Sequence, residues 1–174
     1  MTISCFQRPD GKIGVRNHVV VIPGVLCANE IAQKIAGPIE GAVALRHTGG
    51  CTCSEDVAQL EGVLAGLGAH PNVAGALVLG LGCENCDSEK VAQSSAERAP
   101  WKPLEHLVIQ QLGVSNAIDQ GTRAVEQMVQ NAATMQRSQA DLGGLCLALE
   151  CGGSDATSGL AANPALGLAV DRLI

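Results

Sequence analysis

Short apolar runs alternate along the chain with stretches whose apolar positions recur every three or four residues. Residues 18–23 ("HVVVIP") form a β-branched run of the kind that fills a strand buried on both faces. A helix is predicted over 28–36, stopped by Gly37-Pro38. A second run, "AVAL" at 42–45, leads into "HTGGCTC" at 47–53. Ser54 is then placed to cap a helix carrying Val57, Leu60, Val63, Leu64 and Leu67 on one face, with Gly68 as its stop. "VAGALVLGLG" at 73–82 is the clearest strand, and "SEKVAQSSAERA" at 88–99 reads as a polar-faced helix ending before Pro100. A fourth strand fits 104–109. From a Ser115 cap, Ala117, Ile118, Gly121, Ala124, Val125, Met128, Val129 and Ala132 keep one apolar face to about residue 136. A fifth strand at 145–149 is predicted to run into "ECGGSDATSG".

Alternation of this kind predicts an α/β fold, because parallel neighbours need helical crossovers. The expected architecture is a doubly wound, mainly parallel sheet, Rossmann-like or flavodoxin-like, with helices on both faces and one domain over 1–174. No internal repeat or low-complexity linker interrupts it, and "APWKP" at 99–103 reads as a loop.

Ligands of open parallel sheets bind outside the carboxyl ends of the strands. Four loops lie there in this reading. They carry Cys27, Asn29 and Glu30; His47, Cys51 and Cys53; Cys83, Glu84 and Cys86; and Glu150, Cys151, Ser154 and Asp155. Six of the eight cysteines fall in these loops, among Gly, Asn, Glu and His, which suits reactive or ligating thiols. The remaining two, Cys5 and Cys146, read as small buried hydrophobes.

A hydrophobic content of 47% over 174 residues is enough for a real core, so a disulfide framework is not required and reduced thiols are expected. The net charge of −6, with one Phe, one Trp and no Tyr, argues against nucleic acid as a partner. No run of about 20 apolar residues suggests a membrane span, and the N-terminus carries Pro9 and charges where a signal peptide would be apolar. A cytoplasmic protein is expected. An anion site would have to be built locally, from Lys12, Arg16, Arg46 or helix N-termini.

Thiolates suit zinc or an iron–sulfur cluster, whereas imidazole with carboxylate suits ferrous iron or manganese, and the spacing leaves the metal open. "GLGCEN" at 80–85 imitates a dinucleotide fingerprint, but Asn85 stands where the third glycine packs helix against sheet, so nucleotide binding is set aside. The glycines of "HTGG" read either as plain turn geometry or as permitting close backbone approach to a ligand.

Four strings together, "RPDGKIGVRNHVVVIPGVLCANEIA", "HTGGC", "HPNVAGALVLGLGCE" and "ECGGSDATSGLAANPALG", resemble the galactarate dehydratase and altronate dehydratase family, which also contains sulfolactate sulfo-lyase large subunits. The resemblance implies a hydro-lyase that removes water from a small anionic hydroxy acid, or a sulfo-lyase that removes sulfite. It also implies a divalent metal, commonly Fe2+, with Mn2+ or an iron–sulfur cluster as alternatives, since Cys53 and Cys86 look like additions of this member. It implies further a larger C-terminal domain of the same parent protein, so that 1–174 is an excised second domain, inactive alone, and its last helix (Ala165, Leu166, Leu168, Ala169, Leu173) lacks sequence to dock on. A homo-oligomer is a further possibility. Elimination beside a carboxylate needs a base, an acid and a cation or donors for the enediolate. His47 is the preferred base or ligand, Arg16 or Arg46 a carboxylate clamp, and Cys51, Cys83, Cys151, Glu84 and Asp155 the candidate metal ligands or their supports.

Overall fold

The computed structural model describes residues 1–51, 54–150, 153 and 155–173, with only the backbone of Ser54 and Glu55. Cys53, Cys151 and Ser154, and the side chain of the expected Ser54 cap, lie outside the described residues. In chain order the elements are β1 (Thr2–Gln7), β2 (Ile13–Gly14), β3 (His18–Pro23), α1 (Asn29–Ala36), β4 (Ala42–Ala44), α2 (Ser54–Ala69), β5 (Val73–Gly80), α3 (Ser88–Arg98), β6 (Leu104–Val108), α4 (Ile109–Leu112), α5 (Val114–Ala133), β7 (Ser138–Asp141) and α6 (Asn163–Asp171). No helix among the described residues is long and apolar enough to cross a membrane.

The predicted α/β architecture is present. β4, β3, β5 and β6 form a parallel sheet in that spatial order, with Val20 opposite Val43 and Ala76, and Val78 opposite His106. Counted along the chain this is 2-1-3-4, the beginning of the flavodoxin-type order. Successive side chains of a strand point to opposite faces, and the two cores follow from that. Val19, Val21, Leu77 and Leu79 pack against Ile35 of α1 and Val125 and Met128 of α5. Val20, Ile22, Ala76 and Val78 pack against Leu64 of α2 and Val91 of α3. Central β5 is buried at every position, which is why its sequence lacks the alternation of a one-faced strand. Fully buried Ile22, Ile35, Leu77 and Leu79 each contribute about 1.5–3 kcal/mol of apolar burial.

A second, three-stranded antiparallel sheet, in the order β2-β1-β7, was not among the sequence expectations. Thr2–Cys5 pair with Ser138–Asp141, so the first strand and β7 close on each other. The buried Arg8 guanidinium ties this sheet to the amino ends of the parallel strands. It donates to Pro71 O (2.8 Å) and Asn17 Oδ1 (2.8 Å) and lies over the Phe6 and Trp101 rings. Beside it, Lys102 Nζ donates to Gly68 O (2.7 Å) and His70 O (2.9 Å), and burial pulls its pKa down to about 7.

The expected fifth strand at 145–149 is absent. After α5 the chain joins the small sheet through β7, so the 145–149 segment has no parallel edge to extend, and Leu147 and Leu149 are half exposed. Cys146 is likewise exposed, which corrects its reading as a buried hydrophobe; Cys5 is fully buried. The long helix begins at Val114 instead of behind a Ser115 cap, with Gly113 at its N-cap position.

Candidate functional site

The first crossover helix, α1, lies on one face of the sheet and α3 lies on the other, so the loops after β3 and β5 diverge at the carboxyl edge. A crevice is expected at such a switch point. Here the loop after β4 spans it. Gly49 O accepts from Leu26 N (2.9 Å), and Gly50 O accepts from both Asn85 N (3.0 Å) and Cys86 N (3.1 Å). His-Thr-Gly-Gly is therefore a strap that crosses β3 and joins three loops. Gly50 has φ +112°, and a Cβ there would sit 2.5 Å from Val25 Cα and 2.6 Å from Gly24 O, both backbone atoms. Only glycine fits that conformation and that approach without strain.

His47 is built into the strap. Its Nδ1 accepts from Gly49 N (3.1 Å), which requires a lone pair, and its Nε2 lies 2.7 Å from Pro23 O, which requires a proton. The ring is thus the neutral Nε2–H tautomer with both nitrogens engaged. Asn29, at the start of α1, donates to His47 O (2.8 Å) and completes the anchorage.

The loop after β5 closes on itself through Glu84. Its carboxylate accepts from Leu81 N (2.8 Å), Gly82 N (2.5 Å) and Cys83 N (2.9 Å). Three convergent amides make an anion-binding concavity, and the protein's own carboxylate occupies it. Asp87 caps α3 by accepting from Lys90 N (3.0 Å). Buried Glu61 accepts from Asp87 N (3.0 Å) and from Lys90 Nζ (2.6 Å), and chiefly the Lys90 hydrogen bond holds its carboxyl below the usual carboxylate range.

Cys86 turns inward from this loop into the core beside Val78 and Val91. Burial, with Glu61 nearby, pushes its thiol up to about 11. This corrects its placement among the exposed edge thiols: the loop's backbone faces the edge, while its one-residue offset from Asn85 points the side chain at the sheet. Cys27, Cys51 and Cys83 are exposed at the carboxyl edge.

Next to Glu84, between α3 and β6, lies an open cleft of about 360 Å³ lined by Glu84, Asp87, Ser88, Glu89, His106 and Gln111. Ser88 Oγ and His106 Nε2 are 3.0 Å apart. Sequence reading missed this pair. The available signal was a histidine inside the apolar strand run "LEHLV", where an uncharged hydrophobe would serve packing better.

The other expected residues are dispersed. Arg16 is exposed before the first residue of β3, at the amino end of the sheet, roughly 20 Å of strand away from the strap. It cannot clamp a substrate at the carboxyl edge. Arg46 does lie at that edge, 3.9 Å from Glu30. Asp155 is exposed and accepts from Thr157 Oγ1 (2.6 Å), Thr157 N (2.8 Å) and Ser158 N (3.1 Å), which lowers its pKa, the Thr157 hydroxyl foremost. It starts the next helical segment. Among the described residues, no three His, Cys, Asp or Glu side chains converge as a metal site requires.

Residues 5–133 match the family described as D-galactarate dehydratase/altronate hydrolase, second domain, and residues 142–174 match D-galactarate/altronate dehydratase, C-terminal. The chain is 37% identical to the (2R)-sulfolactate sulfo-lyase subunit beta of Chromohalobacter salexigens, over 97% of this chain and 42% of that protein. It is 33% identical to the altronate dehydratase of Bacillus subtilis and 31% identical to that of Escherichia coli, in each case over 99% of this chain and 36% of the relative. The chain thus spans well under half the length of these relatives.

Proposed function

The chain belongs to the D-galactarate dehydratase/altronate hydrolase family, and on that premise we propose that it is the second domain, with the beginning of the C-terminal domain, of a hydro-lyase that removes water from a sugar acid of the altronate or galactarate type. The observation that carries this reading is the family match over residues 5–133, which includes both the strap and the Glu84 loop. In such a reaction the proton beside the carboxylate leaves, negative charge spreads onto an enediolate, and the neighbouring hydroxyl departs as water. The carboxyl edge supports it by a rigid frame, because substrate groups must be held to within fractions of an ångström for proton transfer to compete.

A second reading is favoured by the 37% identity to a sulfo-lyase subunit: elimination of sulfite from a sulfonated hydroxy acid. The expected Fe2+ does not find a complete donor set among the described residues, since His47 and Glu84 spend their donor atoms on the backbone. No chemical step is therefore assigned to a metal. Cys27, Cys51 and Cys83 are exposed thiols at this edge that a metal could still use, with further donors from elsewhere in the parent protein.

The test is turnover by the full-length protein, purified anaerobically with its metal content measured, on altronate, galactarate and sulfolactate. A 2-keto acid formed with loss of water supports the first reading. Sulfite release selects the second, and turnover of none of the three refutes both.

A further inference from the structure

We propose that His106, positioned by Ser88, is the acid–base residue of the dehydration, and that His47 is not. The proposal rests on the hydro-lyase reading and names the group that moves the proton.

Two imidazoles lie toward the carboxyl edge, and their hydrogen bonds differ in kind. His47 Nδ1 accepts from an amide N–H and its Nε2 donates to a carbonyl. Adding a proton at Nδ1 would set two N–H groups against each other, and removing one from Nε2 would set a lone pair against a carbonyl oxygen. Either change breaks a bond that holds the strap. His106 Nε2 instead meets the Ser88 hydroxyl at 3.0 Å. A hydroxyl both donates and accepts, so this bond survives whichever nitrogen carries the proton. His106 Nδ1 has no hydrogen-bond partner among the described residues, and the ring lines the cleft. Of the two, only His106 can gain and lose a proton without dismantling its surroundings.

The pairing is built into the backbone. Ser88 is the first residue of α3 and packs so closely over Gly80 that a Cβ at Gly80 would collide with its Oγ. Gly24 leaves room on the other side, where a Cβ would sit 3.3 Å from Ser88 Cβ. Ser88 is itself buried, so it orients the imidazole and does not attack substrate.

The charged groups that share the cleft with the ring are Glu84, Asp87 and Glu89. Glu84 and Asp87 are committed to amides, and Glu89 accepts from Gln93 Nε2 at 3.3 Å. A lining of this sign favours hydroxyls over a carboxylate, so the polyhydroxy part of the substrate enters while its carboxylate, next to carbon 2, sits at the mouth of the cleft, where donors from elsewhere in the parent protein take up the enediolate charge. Nδ1 then takes the proton from carbon 2. The C2–H pair becomes the C2–C3 double bond, the C3–O bond breaks, and the departing oxygen takes the same proton from Nδ1 to leave as water. His106 ends as it began, and the enol product tautomerises to the 2-keto acid.

The experiment uses the full-length protein. In His106→Gln, kcat and exchange of the carbon-2 hydrogen with D2O should both fall about 100- to 10,000-fold with little change in KM, as for loss of a general acid–base group. Added imidazole should partly restore His106→Gly. Ser88→Ala should shift the limbs of the kcat–pH profile, whereas His47→Gln keeps the wild-type limbs while losing thermal stability. Wild-type rates and an unchanged profile in folded His106→Gln would overturn the proposal. If that variant does not fold, an unchanged profile in Ser88→Ala overturns it equally. Failure of wild type to turn over any sugar acid removes the hydro-lyase reading itself, an outcome distinct from an active enzyme indifferent to His106.

Discussion

Replacing Gly50 by alanine separates a steric role of the strap from ordinary turn flexibility. If the strap holds its place, an alanine at φ +112° costs about 1–3 kcal/mol in backbone strain. Its Cβ, at 2.5 Å from Val25 Cα and 2.6 Å from Gly24 O, adds an overpacking cost of about 1–3 kcal/mol. Neither neighbour yields easily, because Gly24 N donates to Leu79 O and Leu26 N to Gly49 O. If the strap lifts instead, the bonds to Leu26, Asn85 and Cys86 go, at about 1 kcal/mol each. The molecule takes the cheaper course, so destabilisation of about 3 kcal/mol is expected by either route, and at about 2–4 °C per kcal/mol for a chain of this size the melting temperature should drop by about 6–12 °C. Gly62→Ala is the control: nothing lies within 4 Å of its added Cβ on α2, and alanine should gain up to about 1 kcal/mol there. Thermal and urea unfolding followed by circular dichroism read both variants. Gly50→Ala melting with wild type would refute the close approach of the strap to Gly24 and Val25.

Thiol labelling at mild alkaline pH, mapped by peptide mass spectrometry, should modify Cys27, Cys51, Cys83 and Cys146 and spare Cys5 and Cys86; early labelling of Cys86 would contradict its burial and raised pKa. Because Lys102 is held near 7 when folded and near 10.5 when unfolded, the unfolded state binds more protons between those values. Stability should therefore rise with pH across that window, and Lys102→Met should flatten the rise in pH-dependent urea titrations. Glu61, whose carboxyl is lowered chiefly by Lys90, contributes stability that is present above about pH 4.5 and lost as pH falls through its folded value. Glu61→Gln should cost about 1–2 kcal/mol at pH 7, the lower end for a charged hydrogen bond because Lys90 is largely solvated, and nothing at low pH. An undiminished penalty in acid would show that packing, and not the ion pair, is at work.

The four parallel strands and their helices were legible because each carries its own periodicity: a buried strand reads as an apolar run, and a surface helix repeats every three to four residues. The small antiparallel sheet was not, since "SQAD" is short and polar and becomes a strand only by pairing with "TISCFQ", far from it along the chain. The run "LCLAL" has a strand's composition and no edge to join, so local pattern overcalled it. The clustering of "GVLC", "HTGGC" and "GLGCE" at one sheet edge follows from topology alone and held for Cys27, Cys51 and Cys83.

What the sequence by itself determined is the four segments that form the parallel sheet and the loops that follow the first three of them at its carboxyl edge, because both are consequences of residue spacing acting over one element at a time. Which of those residues have atoms left for chemistry was decided only by tertiary structure. Glu84 folds back onto three amides, Cys86 turns into the core, and His47 gives both nitrogens to the backbone. His106, unremarkable in an apolar strand, acquires its partner from a helix 18 positions away in sequence. Donor and acceptor capacity is used up by whichever group arrives at hydrogen-bonding distance, and that distance is set by the packing of whole elements, not by the order of residues along any one of them.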